Sequence, residues 1–209
     1  MNQFVLAMEI MGTVAFSLSG SMTGMKRRMD LFGVIVLGLV TAVGGGIIRD
    51  LVLGITPPAT FRNPVYAAVS VAVSVVAFLP VTRGWLAQTH ALYEKIMLVM
   101  DSVGLGIFTV VGIRIAHDVM QQENLFFLIF VGVITGVGGG VLRDVLAGNT
   151  PYIFVKHVYA CASILGALIC ALLWRRMGDA VAMLSGCAVV VVIRLLSAKY
   201  RWNLPRAGG

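Results

Sequence analysis

Charge is scarce in this chain: 12% of residues are Asp, Glu, Lys or Arg, against 59% hydrophobic, and the mean hydropathy is +0.95. So few charges cannot clothe a soluble globular domain, and no polar stretch is long enough to form one. Cysteine is scarce too. Cys161, Cys170 and Cys187 are odd in number, fall in apolar stretches and lack C-x-x-C spacing, which excludes a disulfide framework and leaves inert buried thiols. His90, His117 and His157 are scattered without ligand spacing, so no resident metal is expected. Neither a Gly-x-Ser-x-Gly elbow nor a His-Glu-x-x-His occurs, and the glycine runs lack the strand and phosphate-loop context of nucleotide motifs. An enzyme is not expected.

What the chain has instead is apolar length. Seven stretches can each cross about 30 Å of hydrocarbon, which takes roughly 20 apolar residues. They lie near 4–23, 31–54, 63–82, 95–116, 124–147, 153–174 and 180–198, within one membrane domain over 1–209. The opening Met-Asn-Gln-Phe has no basic start and Ser17 to Gly24 has no A-x-A site, so the first span is expected to be retained. The net charge of +7 resides at span ends, which argues for topology signals rather than a nucleic-acid partner. With alternating spans, Lys26, Arg27, Arg28, Arg83, Lys95, Lys156, Lys199, Arg201 and Arg206 gather on one side and Arg62, Arg114, Arg175 and Arg176 on the other. The positive-inside rule then puts the N-terminus outside and the C-terminus in the cytoplasm. The basic tail adds an affinity for anionic membrane lipid, and no soluble partner is expected.

The informative feature is a repeat. Residues 37–58 return at 131–152, including Gly44-Gly45-Gly46-Ile47-Ile48-Arg49-Asp50 as Gly138-Gly139-Gly140-Val141-Leu142-Arg143-Asp144. A weaker echo links Glu9, Gly12, Phe16, Ser17 and Gly20 to Asp101, Gly104, Phe108, Thr109 and Gly112, and Tyr66-Ala67 to Tyr159-Ala160. Spans one to three (4–82) therefore match spans four to six (95–174), with 180–198 left over. Three is odd, so the second copy enters the membrane upside down. That arrangement belongs to transport proteins whose site lies near the midplane between the copies. The expected fold is all-α: seven transmembrane helices as an inverted 3+3 repeat plus one C-terminal helix.

Three adjacent glycines weaken a helix by roughly 1 kcal/mol each against Ala, so the second and fifth helices are expected to break or kink there. A broken helix frees carbonyls for a cation or amides for an anion, and these must face protein or a water-filled path. The competing view is close packing, because Gly38, Ala42 and Gly46, like Gly132, Gly136 and Gly140, recur every four residues. Packing alone requires neither three adjacent glycines nor the charges that follow. Arg49, Asp50, Arg143 and Asp144 lie inside apolar spans, where an unpaired charge costs roughly 3 kcal/mol or more, so they should face the interior. Adjacent helical positions point about 100° apart, so each Arg is expected to pair beyond its neighbouring Asp. A charge ring tuning ion passage and a structural ion-pair network both fit.

Glu9 and Asp101 read as acids near the outer end of span one and the inner end of span four, either interfacial anchors or cation attractors at two mouths. Ser17, Ser19, Thr41, Thr109 and Thr135 put hydroxyls at matched depths, where they line a path or bond their own backbone. Lys95 and Lys156 read as snorkelling anchors with a gating or headgroup role as the alternative.

The doubled glycine motif, each copy followed by a Gly and a Thr-Pro, resembles the prokaryotic trimeric intracellular cation (TRIC) channels over nearly the whole chain. The resemblance implies a homotrimer in the bacterial inner membrane with a cation pore in every subunit, potassium as the permeant ion and bends at Gly44 to Gly46 and Gly138 to Gly140. Animal members combine basic and acidic residues in the second helix for phosphoinositide binding. Here Ile47-Ile48-Arg49-Asp50 stands instead, so that role is not carried over. Some bacterial relatives are described as glycine transporters, which leaves a small amino-acid transporter using the same helices as the alternative function. A membrane protein whose glycines serve packing alone is the third reading.

Overall fold

The computed structural model describes residues 3–86, 90–119, 124–155 and 158–202. Among them are ten helices and no strand: α1 (Gln3–Lys26), α2 (Leu31–Val52), α3 (Ala59–Arg62), α4 (Val65–Phe78), α5 (Pro80–Leu86), α6 (His90–Val119), α7 (Leu125–Leu146), α8 (Tyr152–Val155), α9 (Tyr159–Met177) and α10 (Asp179–Lys199). Five of them, α1, α2, α6, α7 and α10, are long and apolar enough to cross a membrane. Between 63 and 82 the expected span is divided, because Pro64 and Pro80 cannot sit inside a helix and α4 is left with 14 residues, about 21 Å. Between 153 and 174 it is divided into α8 and α9, with Val158 in the left-handed region at φ 67° before α9. The fourth span starts at His90, five residues before its expected start at 95, which carries Asp101 well inside α6.

The repeat is visible down to the caps. Asp30 accepts from the amide of Gly33 at the start of α2 (2.7 Å), and Asn124 accepts from that of Phe127 at the start of α7 (3.2 Å). At the other ends Gly54 (φ 72°) and Gly148 (φ 65°) take the left-handed position that glycine alone adopts without cost. The chain then closes with matched bonds, Ile55 N to Asp50 O and Asn149 N to Asp144 O, both 2.8 Å.

Packing follows the same symmetry. Helix α1 lies on α2 as α6 lies on α7, and the pairs meet through α1 on α6 and α2 on α7. Each contact is built on matched glycines. A Cβ on Gly20 would meet Gly38 Cα at 2.9 Å, and one on Gly112 would meet Gly132 Cα at 3.0 Å. Gly12 leaves room for Phe108 and Gly104 for Phe16, and the two rings meet tilted by 36° at 5.3 Å between centroids. Where α2 crosses α7, a Cβ on Gly45 would press on the Thr135 carbonyl oxygen and one on Gly139 on the Thr41 carbonyl oxygen, both under 3.0 Å.

That crossing corrects one expectation. Helices α2 and α7 remain helical through Gly44–Gly46 and Gly138–Gly140, so no break frees carbonyls or amides there. Backbone contact between the helices compensates the roughly 1 kcal/mol that each glycine costs against Ala. Helix α10 has no counterpart in the repeat. It packs on α9 and α6, with Gly166 and Gly186 facing each other's carbonyls at 2.7 Å from a notional Cβ.

Candidate functional site

Both arginines of the repeat fold back onto the adjacent aspartate, which corrects the expectation of a more distant partner for Arg49, whereas Arg143 has such a partner as well. Arg49 Nε and Nη2 lie 2.9 and 2.7 Å from Asp50 Oδ1, and Arg143 Nε lies 2.9 Å from Asp144 Oδ1. Diverging Cβ directions are overcome by the three methylenes of Arg, because each Asp is held from its other oxygen. Asp50 Oδ2 accepts from Ala59 N at 2.7 Å and Asp144 Oδ2 from Tyr152 N at 2.9 Å. The Arg-Asp pair thus pins the segment after its helix to the helix end, in both halves.

Beyond this shared part the halves differ. In the second half Arg143 is completely buried, and its Nη1 donates to Asp101 (2.5 Å) and to the Ser19 hydroxyl (2.6 Å). Arg194 from α10 reaches the other Asp101 oxygen at 3.3 Å. The two guanidiniums lie over tyrosine rings, Arg143 over Tyr152 at 4.9 Å and Arg194 over Tyr159 at 4.6 Å. Arg143 Nη2, Arg194 Nε and the Tyr159 hydroxyl have no hydrogen-bond partner among the described residues. Asp101 is therefore neither an interfacial anchor nor a mouth charge. It is the acid at the centre of a buried cluster, because α6 begins a full turn earlier than the apolar run predicts.

In the first half the same positions are open. Glu9, which stands where Asp101 stands, accepts a hydrogen bond from the Tyr66 hydroxyl and makes no ion pair among the described residues. Together with Arg49, Tyr66, Thr13 and Asn63 it lines a cavity of about 240 Å³ whose inner wall is Ala42, Val43, Gly46 and Phe108. This cavity opens towards the start of α1 and the end of α2. At the opposite end of the bundle two further cavities, about 480 and 440 Å³, flank Tyr152. The first is walled by Thr23, Lys26, Arg27 and Asp144, the second by Lys95, Arg194, Arg201 and Trp202. The Phe16–Phe108 pair, the Gly45–Gly139 crossing and the Asp101 cluster lie between the two ends.

Ser17, Ser19, Thr41, Thr109 and Thr135 sit in this partition and line none of the three cavities. Thr41, Thr109 and Thr135 donate to the carbonyl four residues back, at 2.6, 2.7 and 2.6 Å, and Ser17 donates to the Ser70 carbonyl on α4 at 2.8 Å. All are completely buried, as is Ser19. Lys95 is exposed on the wall of the 440 Å³ cavity, and Lys156 lies outside the described residues. Four participants were not singled out from sequence. Tyr66 and Tyr159 were visible only as a repeat match, Tyr152 carried no signal, and Arg194 was a lone charge in the apolar run of α10, which is itself a signal of a buried partner.

Comparison with known proteins places the chain among related membrane proteins. A family model described as glycine transporter matches residues 6–81 and 98–175, the two halves of the repeat. The inner membrane protein YadS of Escherichia coli K12 is 36% identical over 94% of this chain and 92% of its own length. A prokaryotic TRIC channel crystallised in 0.5 M KCl superposes with a TM-score of 0.88 at 31% identity, covering 98% of this chain and 100% of the channel. The trimeric intracellular cation channel orthologue from Rhodobacter sphaeroides does so with a TM-score of 0.85, also at 31% identity, over 95% of this chain and 98% of the other.

Proposed function

We propose that this chain, which belongs to the family joining the glycine transporter model to the prokaryotic TRIC channels, is a monovalent-cation channel with a pore inside each subunit. The observation that carries the reading is the pair of cavity systems entering the bundle from opposite ends, kept apart by a thin partition of glycine crossing, ring pair and charge cluster. A simple structural bundle has no need of two opposed entrances. Permeation requires the partition to part. Bending of α2 and α7 at Gly44–Gly46 and Gly138–Gly140, together with release of Arg143 from Asp101, joins the two ends. Each mouth carries carboxylates interleaved with basic residues, Glu9 beside Arg49 at one and Glu94 and Asp144 beside Lys26 and Arg27 at the other, and the preference for cations rests on the likeness to the TRIC channels. Potassium is the proposed permeant ion, and the assembly a homotrimer like the trimeric orthologue. The reading takes seven crossings, with α4 and α9 completing the set, and the excess of Lys and Arg on one side supports an N-terminus outside and a C-terminus in the cytoplasm.

A second reading, carriage of a small zwitterion such as glycine, is favoured by one observation. Glu9 and Arg49 line the same cavity with opposite charges and no bond between them. Reconstitution tests both readings on one preparation. Planar bilayers under a potassium chloride gradient should show unitary currents reversing close to the potassium equilibrium potential. Liposomes from the same batch should take up no labelled glycine in saturable fashion. Saturable uptake without currents would sink the channel.

A further inference from the structure

The two arginines of the repeat begin alike, but Arg143 has partners that Arg49 lacks. Each bonds the aspartate that follows it, and each of those aspartates holds the next segment of chain. Arg143 then spends its outer nitrogen on the carboxylate of Asp101, 2.5 Å away. Arg49 meets no carboxylate there, because Glu9 is turned onto Tyr66 instead. Ser19, which also binds Arg143, corresponds in the repeat to Val111 on α6, whose side chain offers no oxygen. Among the described residues the outcome is a guanidinium whose Nη1 has no partner and a carboxylate with no ion pair, bonded by the Tyr66 hydroxyl alone, on the walls of one cavity of about 240 Å³.

The geometry points to a binding site for a small α-amino acid zwitterion in this cavity, its carboxylate occupying on Arg49 the place that Asp101 occupies on Arg143 and its ammonium facing Glu9. A bare cation would meet Arg49 and a bare anion would meet Glu9, so neither is matched by both walls. A molecule carrying both charges is. Arginine suits planar carboxylates, and Arg143 meets two of them at once, Asp144 through Nε and Asp101 through Nη1. Thr13, Thr60 and Asn63 add neutral hydrogen-bonding groups, while Ala42, Val43 and Phe108 close the floor and limit the side chain to a small one. The cavity is below the size of pockets that hold drug-sized ligands, which begin at about 300 Å³. The inference deepens the zwitterion reading by naming its site, yet binding here does not require that the ligand cross.

The test uses the full chain in lipid nanodiscs and labelled glycine in a scintillation proximity assay. Saturable binding is expected, with acetate and methylammonium each competing at least roughly tenfold more weakly, since each satisfies one wall only. Glu9→Gln and Arg49→Lys should each weaken glycine binding by roughly tenfold or more, whereas Lys95→Gln at the opposite end should leave it unchanged. Size-exclusion profiles and melting temperatures establish that each variant is folded, and Glu9→Gln, which touches only Tyr66, serves if Arg49→Lys is not. Absence of saturable binding for glycine, alanine and serine up to about 10 mM overturns the proposal. Equal affinity for acetate overturns it in favour of a plain anion site. Glycine bound without uptake into liposomes leaves the site standing and removes carriage. Uptake that survives in both Glu9→Gln and Arg49→Lys removes the site and leaves carriage.

Discussion

Gly45→Ala and Gly139→Ala should each cost the protein about 3 kcal/mol or more, at or above the upper end of what overpacking substitutions cost. The new methyl group in either variant would land under 3.0 Å from a backbone carbonyl oxygen of the facing helix. A side chain yields by changing rotamer, but the Thr135 and Thr41 carbonyls belong to rigid helices and can yield only by moving α7 or α2. Gly54→Ala gives the comparison: its neighbourhood is open and only its left-handed φ of 72° resists, so a loss of about 1 kcal/mol is expected. Thermal melts of detergent-purified protein rank the three variants. If Gly45→Ala melts no earlier than Gly54→Ala, the crossing is looser than its geometry requires. Flux should disappear together with stability at Gly45 and Gly139, because the crossing is both the packing contact and part of the partition.

Asp101→Ala should produce the other large effect, since it removes the one carboxylate shared by Arg143 and Arg194. Breaking a buried pair from one side costs about 3–5 kcal/mol, because the remaining charge keeps its desolvation penalty without its partner. Here Arg194 loses the carboxylate it bonds, and Arg143 loses one of two, keeping Asp144. Replacing Asp101 and Arg194 together, Asp101→Leu with Arg194→Leu, leaves Arg143 on Asp144 and should recover much of the lost stability. If the cluster holds the partition shut, both the single and the double variant should raise the time-averaged potassium current at a given protein density. A double variant that is stable and conducts as the parent does would show that the cluster is structural only.

Much of this was legible in the sequence because it depends on period and spacing. The repeat fixed the matched helices, and the caps at Asp30 and Asn124 and the stops at Gly54 and Gly148 follow from local chemistry that any window of a few residues carries. The glycine triplets were legible as sites of constraint, but their meaning was not. A lone helix with three glycines weakens, whereas the observed helices gain backbone contact from a partner 94 residues away, and single-helix propensity contains no term for that partner. Asp101 was misplaced for a similar reason. The polar stretch from His90 to Lys95 hides an amphipathic helix start, so the apolar run begins later than the helix does. The difference between Arg49 and Arg143 was invisible, as the two motifs are nearly the same letters. It arises from Glu9 against Asp101, one methylene apart, and from Arg194 on a helix outside the repeat.

The α2–α7 crossing, in which Gly45 faces Thr135 and Gly139 faces Thr41, has the form of an isologous dimer interface carried within a single chain. In a dimer of identical subunits every substitution appears on both sides of the axis, so two identical entrances must be open or closed together. Covalent fusion lifts that constraint. One arginine can be locked by an acid while its twin stays accessible, which gives the molecule a polarity across the bilayer that a symmetric pair cannot have.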